Sequence, residues 1–325
     1  MRLVLGRKGM GESSSMITHK TGKRRWPKVL AIVLGALVAL TVVGLAAIPF
    51  LQMSSIVDLH VDFKKVYSAS DYGLMAEPLT LMTEDGLKLA AWRVDAVNPR
   101  AAVVFVSGIQ NPSVTAFFGH AAMLRKEGFS SVLVEMRAHG ESEGDQICLG
   151  TKEYLDVLAA VKTIKEIDPD LPVVAFGLSM GAGTAVNAIG ETPEIDALIT
   201  LSAFSTWPDV FAYNMELMGI PKIICEMEKP FVWLYMGVKY GLDGIRVNPL
   251  NEIRKLNGRP ALLMHSKGDT QVPYVSFEQL TAAAPGVATY VVDGDYHFIC
   301  DDNFLHPQKD KAYSAALLGF LNAHF

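Results

Sequence analysis

The chain holds 325 residues, half of them hydrophobic and only 19% charged, which excludes an intrinsically disordered protein and suits one α/β domain plus an appendage. The formal net charge of −5 argues against a nucleic-acid partner. Three cysteines, Cys148, Cys225 and Cys300, lie far apart without CxxC spacing, so neither a structural zinc site nor a disulfide framework is expected. At most one disulfide can form, and Cys148 with Cys300 is the pair whose loops fall on one edge of the expected sheet.

Charge is unevenly placed. Residues 1–28 carry eight Lys/Arg against the single Glu12, a balance of +7 that leaves −12 for the remainder. A basic, glycine- and serine-bearing tail is expected there. Residues 29–51 follow without a charge, long enough as a helix to cross the roughly 30 Å hydrocarbon core of a bilayer. Lys20, Lys23, Arg24, Arg25 and Lys28 crowd its N-terminal flank and residues 52–57 carry no charge, so the positive-inside bias puts the N-terminus in the cytoplasm and everything after Leu51 outside. A cleaved signal peptide is the rival reading, given the small residues Gly44 and Ala46, but the apolar stretch exceeds a signal h-region. Residues 52–76 read as a juxtamembrane connector of no firm structure, and the folded domain is expected over residues 77–325.

Residues 77–95 alternate apolar and polar around Glu84, Asp85 and Gly86, the pattern of two antiparallel strands joined by a tight turn. Short apolar or β-branched runs then recur over 101–108, 130–136, 171–179, 195–204, 259–266 and 288–295, as strands buried on both faces require. Helical patterns separate them, most clearly over 151–167, 180–190, 273–284 and 309–324. Strands alternating with helices imply an α/β fold with a mostly parallel sheet flanked by helices. Residues 205–248 are too long for a plain crossover and read as helical insertions forming a cap.

Gly177, Leu178, Ser179, Met180 and Gly181 follow a buried apolar run and open a helical one, the strand, sharp turn and helix context of a nucleophile elbow. The flanking glycines, Gly177 and Gly181, let the serine project where longer side chains would clash. The bland alternative is a glycine-rich turn where a strand meets a helix. A serine hydroxyl needs a base, and the base needs a carboxylate that fixes its tautomer. Asp269 lies in a loop just after the strand that ends near Ser266, and His297 lies in the loop after the next strand. The order Ser179, Asp269, His297 puts all three on one edge of the inferred sheet. Asp295 is the fallback acid. The oxyanion of acyl transfer needs two preorganised amides. Met180 supplies one; Ile109, after the first parallel strand, is the choice for the other, with Gln110 and Asn111 as outer donors.

From about residue 77 to 325 the chain resembles a serine hydrolase of the α/β-hydrolase superfamily, near the bacterial membrane-anchored members grouped with serine aminopeptidase and monoacylglycerol lipase-like sequences. GLSMG (177–181) carries the match. EMRAHGESEG (135–144) is similar to the family's DxRGHGxSxG loop, and PLNEI (249–253) followed by RPALLMHSKGDTQVP (259–273) adds support. The family's His-Gly before the oxyanion loop is Ser107-Gly108 here, and its His-Gly before the acid loop is His265-Ser266. The resemblance implies an α/β-hydrolase fold and a hydrolytic reaction, not a substrate. His139 in the RAHGE stretch reads as a loop-organising residue rather than a catalytic one.

Trp207, Met218 and Trp233 stand among the rings and thioethers of the 205–248 insertion, which reads as the wall of an acyl or alkyl pocket. Ordinary helix packing accounts for them equally well. The expected activity is hydrolysis of a small-molecule carboxylic ester with a hydrophobic group through an acyl-enzyme. A peptidase or amidase uses the same atoms, and a non-catalytic membrane-tethered binding protein is the reading from another class. No cofactor or metal is expected: there is no HExxH, and GLSMGAGT lacks the lysine of a phosphate-binding loop.

Overall fold

The computed structural model describes residues 25–300 and 303–325. The expected basic tail therefore lies, up to residue 24, outside the described residues. The described residues fall into two units that divide after Gly44.

Helix α1 (Trp26–Val57) is the one helix among the described residues long and apolar enough to cross a membrane, and its most apolar stretch is unburied. Leu30, Ile32 and Leu40 on it are 60, 71 and 69% exposed, a surface that water does not favour. The helix runs past the expected end at Leu51. Met53 and Val57, one turn apart, are buried in the core of the second unit, and that burial keeps residues 52–57 helical where an irregular connector was expected. Beyond it, Val61 bridges His139 and Leu74 is buried, so the folded unit begins well before the expected start near residue 77.

Among the described residues, eight strands form one sheet in the order β1-β2-β4-β3-β5-β6-β7-β8. Strands β1 (Glu77–Met82) and β2 (Lys88–Val94) make the expected hairpin, with Glu77 opposite Arg93, and β2 pairs antiparallel with β4 (Phe129–Val134). From there to β3 (Ala101–Val106), β5 (Val173–Leu178), β6 (Ala197–Leu201), β7 (Ala261–Ser266) and β8 (Ala288–Val292) every pairing is parallel. Successive residues of a strand point to opposite faces. Ala102, Val104 and Val106 of β3 accordingly join the core under α3 (Tyr154–Ile167), α4 (Met180–Glu191) and α9 (Tyr274–Ala283). Ala101, Val103 and Phe105 join the core under α2 (Phe118–Lys126) and α10 (Lys311–His324). This three-layer arrangement, with the active edge at the carboxyl ends of parallel strands, is the α/β-hydrolase fold.

Between β6 and β7 the insertion folds into α5 (Trp207–Leu217) and α6 (Lys222–Tyr240), then two single turns, α7 (Asp243–Arg246) and α8 (Pro249–Glu252). Thr206 caps α5 by accepting from the Asp209 amide, and Pro208 sits in the first turn, where its missing N–H costs nothing. Behind the sheet edge, Arg137 Nη2 reaches Asp156 Oδ1 at 2.7 Å, with both side chains buried. Cys148 and Cys225 are buried thiols without a disulfide, so the Cys148–Cys300 pairing that the loops allowed is not made.

Candidate active site

Ser179 sits between the last residue of β5 and the first of α4 with φ 54° and ψ −117°, a conformation that L residues rarely adopt. The turn is held on both sides. The Ser179 amide donates to Leu201 O at 2.8 Å, and its carbonyl accepts from the Gly183 amide at 3.1 Å. A Cβ on Gly177 would run into the Gly181 carbonyl, and one on Gly181 into the carbonyls of Ser107 and Val106. The two glycines are thus steric requirements of the turn, as the sequence pattern implies.

Asp269 and His297 meet in the interior. Asp269 is fully buried, His297 is 5% exposed, and His297 Nδ1 lies 2.9 and 3.0 Å from the two carboxylate oxygens. Oδ1 of Asp269 also accepts from the amides of Gln271 and Val272 at 2.8 and 2.9 Å. Burial pushes the Asp269 carboxyl up, but the hydrogen bond and charge of His297 and those two amides outweigh it and hold the group below its ordinary range. A carboxylate partner makes Nδ1 the donor, so the neutral ring carries its lone pair on Nε2. Nε2 is buried and has no hydrogen-bond partner among the described residues. Asp295, the fallback acid, is exposed.

Two hydroxyls brace the histidine loop: Ser202, which the sequence does not single out, and Ser266, which it marks only as a strand end and a motif departure. Ser202 Oγ donates to His297 O, and Ser266 Oγ donates to Tyr296 O, each at 2.6 Å. This hydrogen bond is what the Ser266 hydroxyl adds to the loop. Tyr213 Oη, from the cap, donates to Asp269 O at 2.6 Å and ties α5 to the acid loop.

Ile109 and Met180 line the same cleft as Ser179, and a Cβ on Gly108 would lie 3.4 Å from Ser179 Cβ, so the loop after β3 passes directly beside the serine. Met180 opens α4, where the first amides of a helix have no internal acceptor. The Gln110 amide is committed elsewhere: it donates to His139 Nε2 at 3.1 Å, while His139 Nδ1 donates to Arg137 O at 2.8 Å. Burial lowers the His139 pKa to about 4, so the ring is neutral and can accept at Nε2. His139 organises the loop, in keeping with its sequence reading. Ser107 donates to Pro112 O at 2.6 Å and closes the same loop from its other end.

The cleft above Ser179 encloses about 320 Å³. Gln52, Met53 and Ile56 of α1 form one wall; Trp207, Val210, Phe211 and Asn214 of α5 form another. Trp207 is fixed by donating its indole N–H to Leu149 O at 2.7 Å. Met218 and Trp233 do not line this cleft, contrary to expectation. Met218 is 72% exposed beyond the end of α5, and Trp233 is half-buried on α6, whose inward stripe packs on α1 and the core instead. A second cleft of about 600 Å³ lies at the amino ends of β7 and β8, near Ala261 and Ala288, the wrong edge of the sheet for this chemistry.

Residues 97–230 match the family described as "Serine aminopeptidase, S33". The chain is 25% identical to the uncharacterized membrane protein YNL320W of Saccharomyces cerevisiae over 61% of its own length and 71% of the relative's. It is 22% identical to the uncharacterized protein YfhR of Escherichia coli, covering 84% of this chain and 88% of that one. Among solved structures, the Pyrococcus furiosus esterase Pf2001 superposes with a TM-score of 0.65 at 23% identity, covering 82% of this chain and 98% of the esterase.

Proposed function

We propose that this chain, a member of the α/β-hydrolase superfamily, is a membrane-anchored serine esterase that cleaves hydrophobic carboxylic esters through an acyl-enzyme. One observation carries the reading: the buried Asp269–His297 pair presents an Nε2 without a partner among the described residues, at the sheet edge that also bears Ser179 in its strained turn. Ser179 Oγ attacks the ester carbonyl as its proton passes to His297 Nε2, and the resulting oxyanion is received by the amides of Met180 and Ile109. The imidazolium, stabilised by Asp269, gives that proton to the leaving alkoxide, and an alcohol departs. Water then attacks the acyl-serine, again losing its proton to Nε2, and the acid is released as Ser179 is reprotonated.

The cleft favours esters over peptides with a free amino terminus. Among the described residues its lining contains no carboxylate, whereas a substrate's α-ammonium group brought out of water requires one. Apolar side chains from α1 and α5 suit an acyl or alkyl chain instead. Helix α1 is the anchor, and the basic residues ahead of it keep the N-terminus on the cytoplasmic side, with the hydrolase domain across the membrane.

A series of nitrophenyl esters of increasing acyl length tests this directly. Phe211→Ala and Trp207→Ala should shift the preferred length upward, changing the ratio of kcat/KM between long and short esters by about tenfold, the scale of a few methylenes in an apolar pocket. An unchanged length profile in both variants contradicts the assignment of this cleft to the acyl group.

His139→Ala should lower kcat by about ten- to a hundredfold with little change in KM, somewhat less than removing an oxyanion donor outright, because it releases the loop carrying Ile109. His139→Gln, which offers an amide oxygen to the Gln110 N–H, should retain more activity than the alanine variant. Equal losses in both would place the role of His139 elsewhere.

A further inference from the structure

The outer face of cap helix α6 is apolar along its length. Ile223, Met227, Leu234 and Val238 are 72, 49, 51 and 66% exposed, and Pro230 between them is exposed as well. These five recur at steps of three or four residues, which puts them on a single stripe of a 3.6-residue helix. The opposite stripe, Cys225, Glu228, Val232, Tyr235 and Met236, is buried. A helix covering the surface of a soluble domain pairs its buried apolar stripe with a polar outer one; a helix that is apolar on both sides needs a second apolar neighbour. Met218 and Leu242, on either side of α6 in the chain, are 72 and 65% exposed as well.

Residues 45–57 of α1 indicate what that neighbour is. Phe50 meets Tyr235 edge to face at 5.2 Å, and Lys239 Nζ lies 2.7 Å from Asp58 Oδ2. These pairings ascend together, so the two helices run in the same sense and the first turns of α6 lie toward Leu45, where the apolar segment joins the domain. An unpartnered apolar stripe beside the entry point of a membrane segment is continuous with a lipid-facing surface.

We infer that α6 docks by its Ile223–Met227–Leu234–Val238 stripe into the bilayer surface, so that the cap is a membrane-seated element in addition to the spanning helix. The inference rests on the membrane-anchored reading proposed above.

The test uses the full-length chain reconstituted in phosphatidylcholine vesicles. Single cysteines are introduced as Ile223→Cys, Met227→Cys, Leu234→Cys and Val238→Cys and labelled with a polarity-sensitive fluorophore; the native cysteines are buried. Lys162→Cys and Glu166→Cys serve as controls, at exposed positions of α3. Lipid-borne nitroxide should quench the four α6 labels severalfold more than the controls, and aqueous iodide should do the reverse. Labels on α6 as open to iodide as those on α3 would overturn the inference. So would labels shielded from iodide yet untouched by lipid nitroxide, the result expected if a second copy or another protein covers the stripe. Extraction of the wild type by alkaline carbonate reports on the anchor separately: a resistant protein with iodide-accessible α6 labels loses only the docking, and an extractable one loses both. No arm depends on hydrolysis.

Discussion

Ser179→Ala is expected to abolish reaction with a fluorophosphonate probe and to lower kcat on a reactive ester by about a millionfold, leaving only what the oxyanion amides and binding supply. The magnitude follows from how little an isolated hydroxyl does. At neutral pH it is a weak nucleophile, and its activation depends on an imidazole whose free nitrogen takes the proton as the bond to carbon forms. Here that nitrogen belongs to a ring already committed at Nδ1, buried, and without another claim on Nε2 among the described residues. Ser179 is half-buried at the floor of the cleft, and alanine fills the same backbone position without a larger side chain, so the folded protein should survive the change. Circular dichroism and thermal unfolding indistinguishable from the wild type, together with lost labelling, separate loss of the nucleophile from loss of the fold. Persistent labelling in this variant contradicts the assignment.

Asp269→Asn is the second large effect, expected to lower kcat by about ten-thousandfold while the structure persists. The carboxylate accepts from three directions: His297 Nδ1 and the amides of Gln271 and Val272. An asparagine in this place can keep the two amide hydrogen bonds through its oxygen, which then turns its NH₂ toward His297. An N–H facing Nδ1 forces the proton onto Nε2, the wrong tautomer for a base. The measurement is the rate of fluorophosphonate inactivation together with kcat, both of which should fall. The electrostatics also set the acid side of the profile. Because the Asp269 carboxyl is held below its ordinary range, the stability it confers is fully present above the unfolded value of about 3.9 and fades only as pH falls through the lower folded value. An Asp269→Asn protein should therefore lose less stability on acidification than the wild type.

Much of the fold can be read from the chain because β3, β5, β6 and β7 are buried on both faces, and such strands must be continuous apolar runs. What escaped reading has physical reasons. Helix α2 buries Phe118, Ala121 and Leu124 at steps of three, but Gly119 and His120 within it blur any periodic signal. Residues 52–57 are of mixed character, and their helix depends on Met53 and Val57 finding a core supplied by distant strands. The cap gave its residues without its faces: Trp207 turns into the cleft, whereas Met218 and Trp233 do not, since which stripe of a helix apolar on both sides faces inward is decided by tertiary partners. Ser202 and Ser266 brace a loop about 30 to 95 positions away through backbone carbonyls, a contact with no local signature. The Asp269–His297 pairing is legible for the opposite reason: each residue follows the carboxyl end of its own strand, as Ser179 does, in an order that chemistry and topology restrict together.

The most direct test is to mix the protein with a slowly hydrolysed long-chain nitrophenyl ester, quench within the first turnover, and digest for mass spectrometry. The peptide bearing Ser179 should be heavier by the acyl group, with the adduct missing in Ser179→Ala and disappearing from the wild type as free acid forms. Steady release of acid with no acylated Ser179, or with the acyl group on another residue, would contradict the acyl-enzyme mechanism.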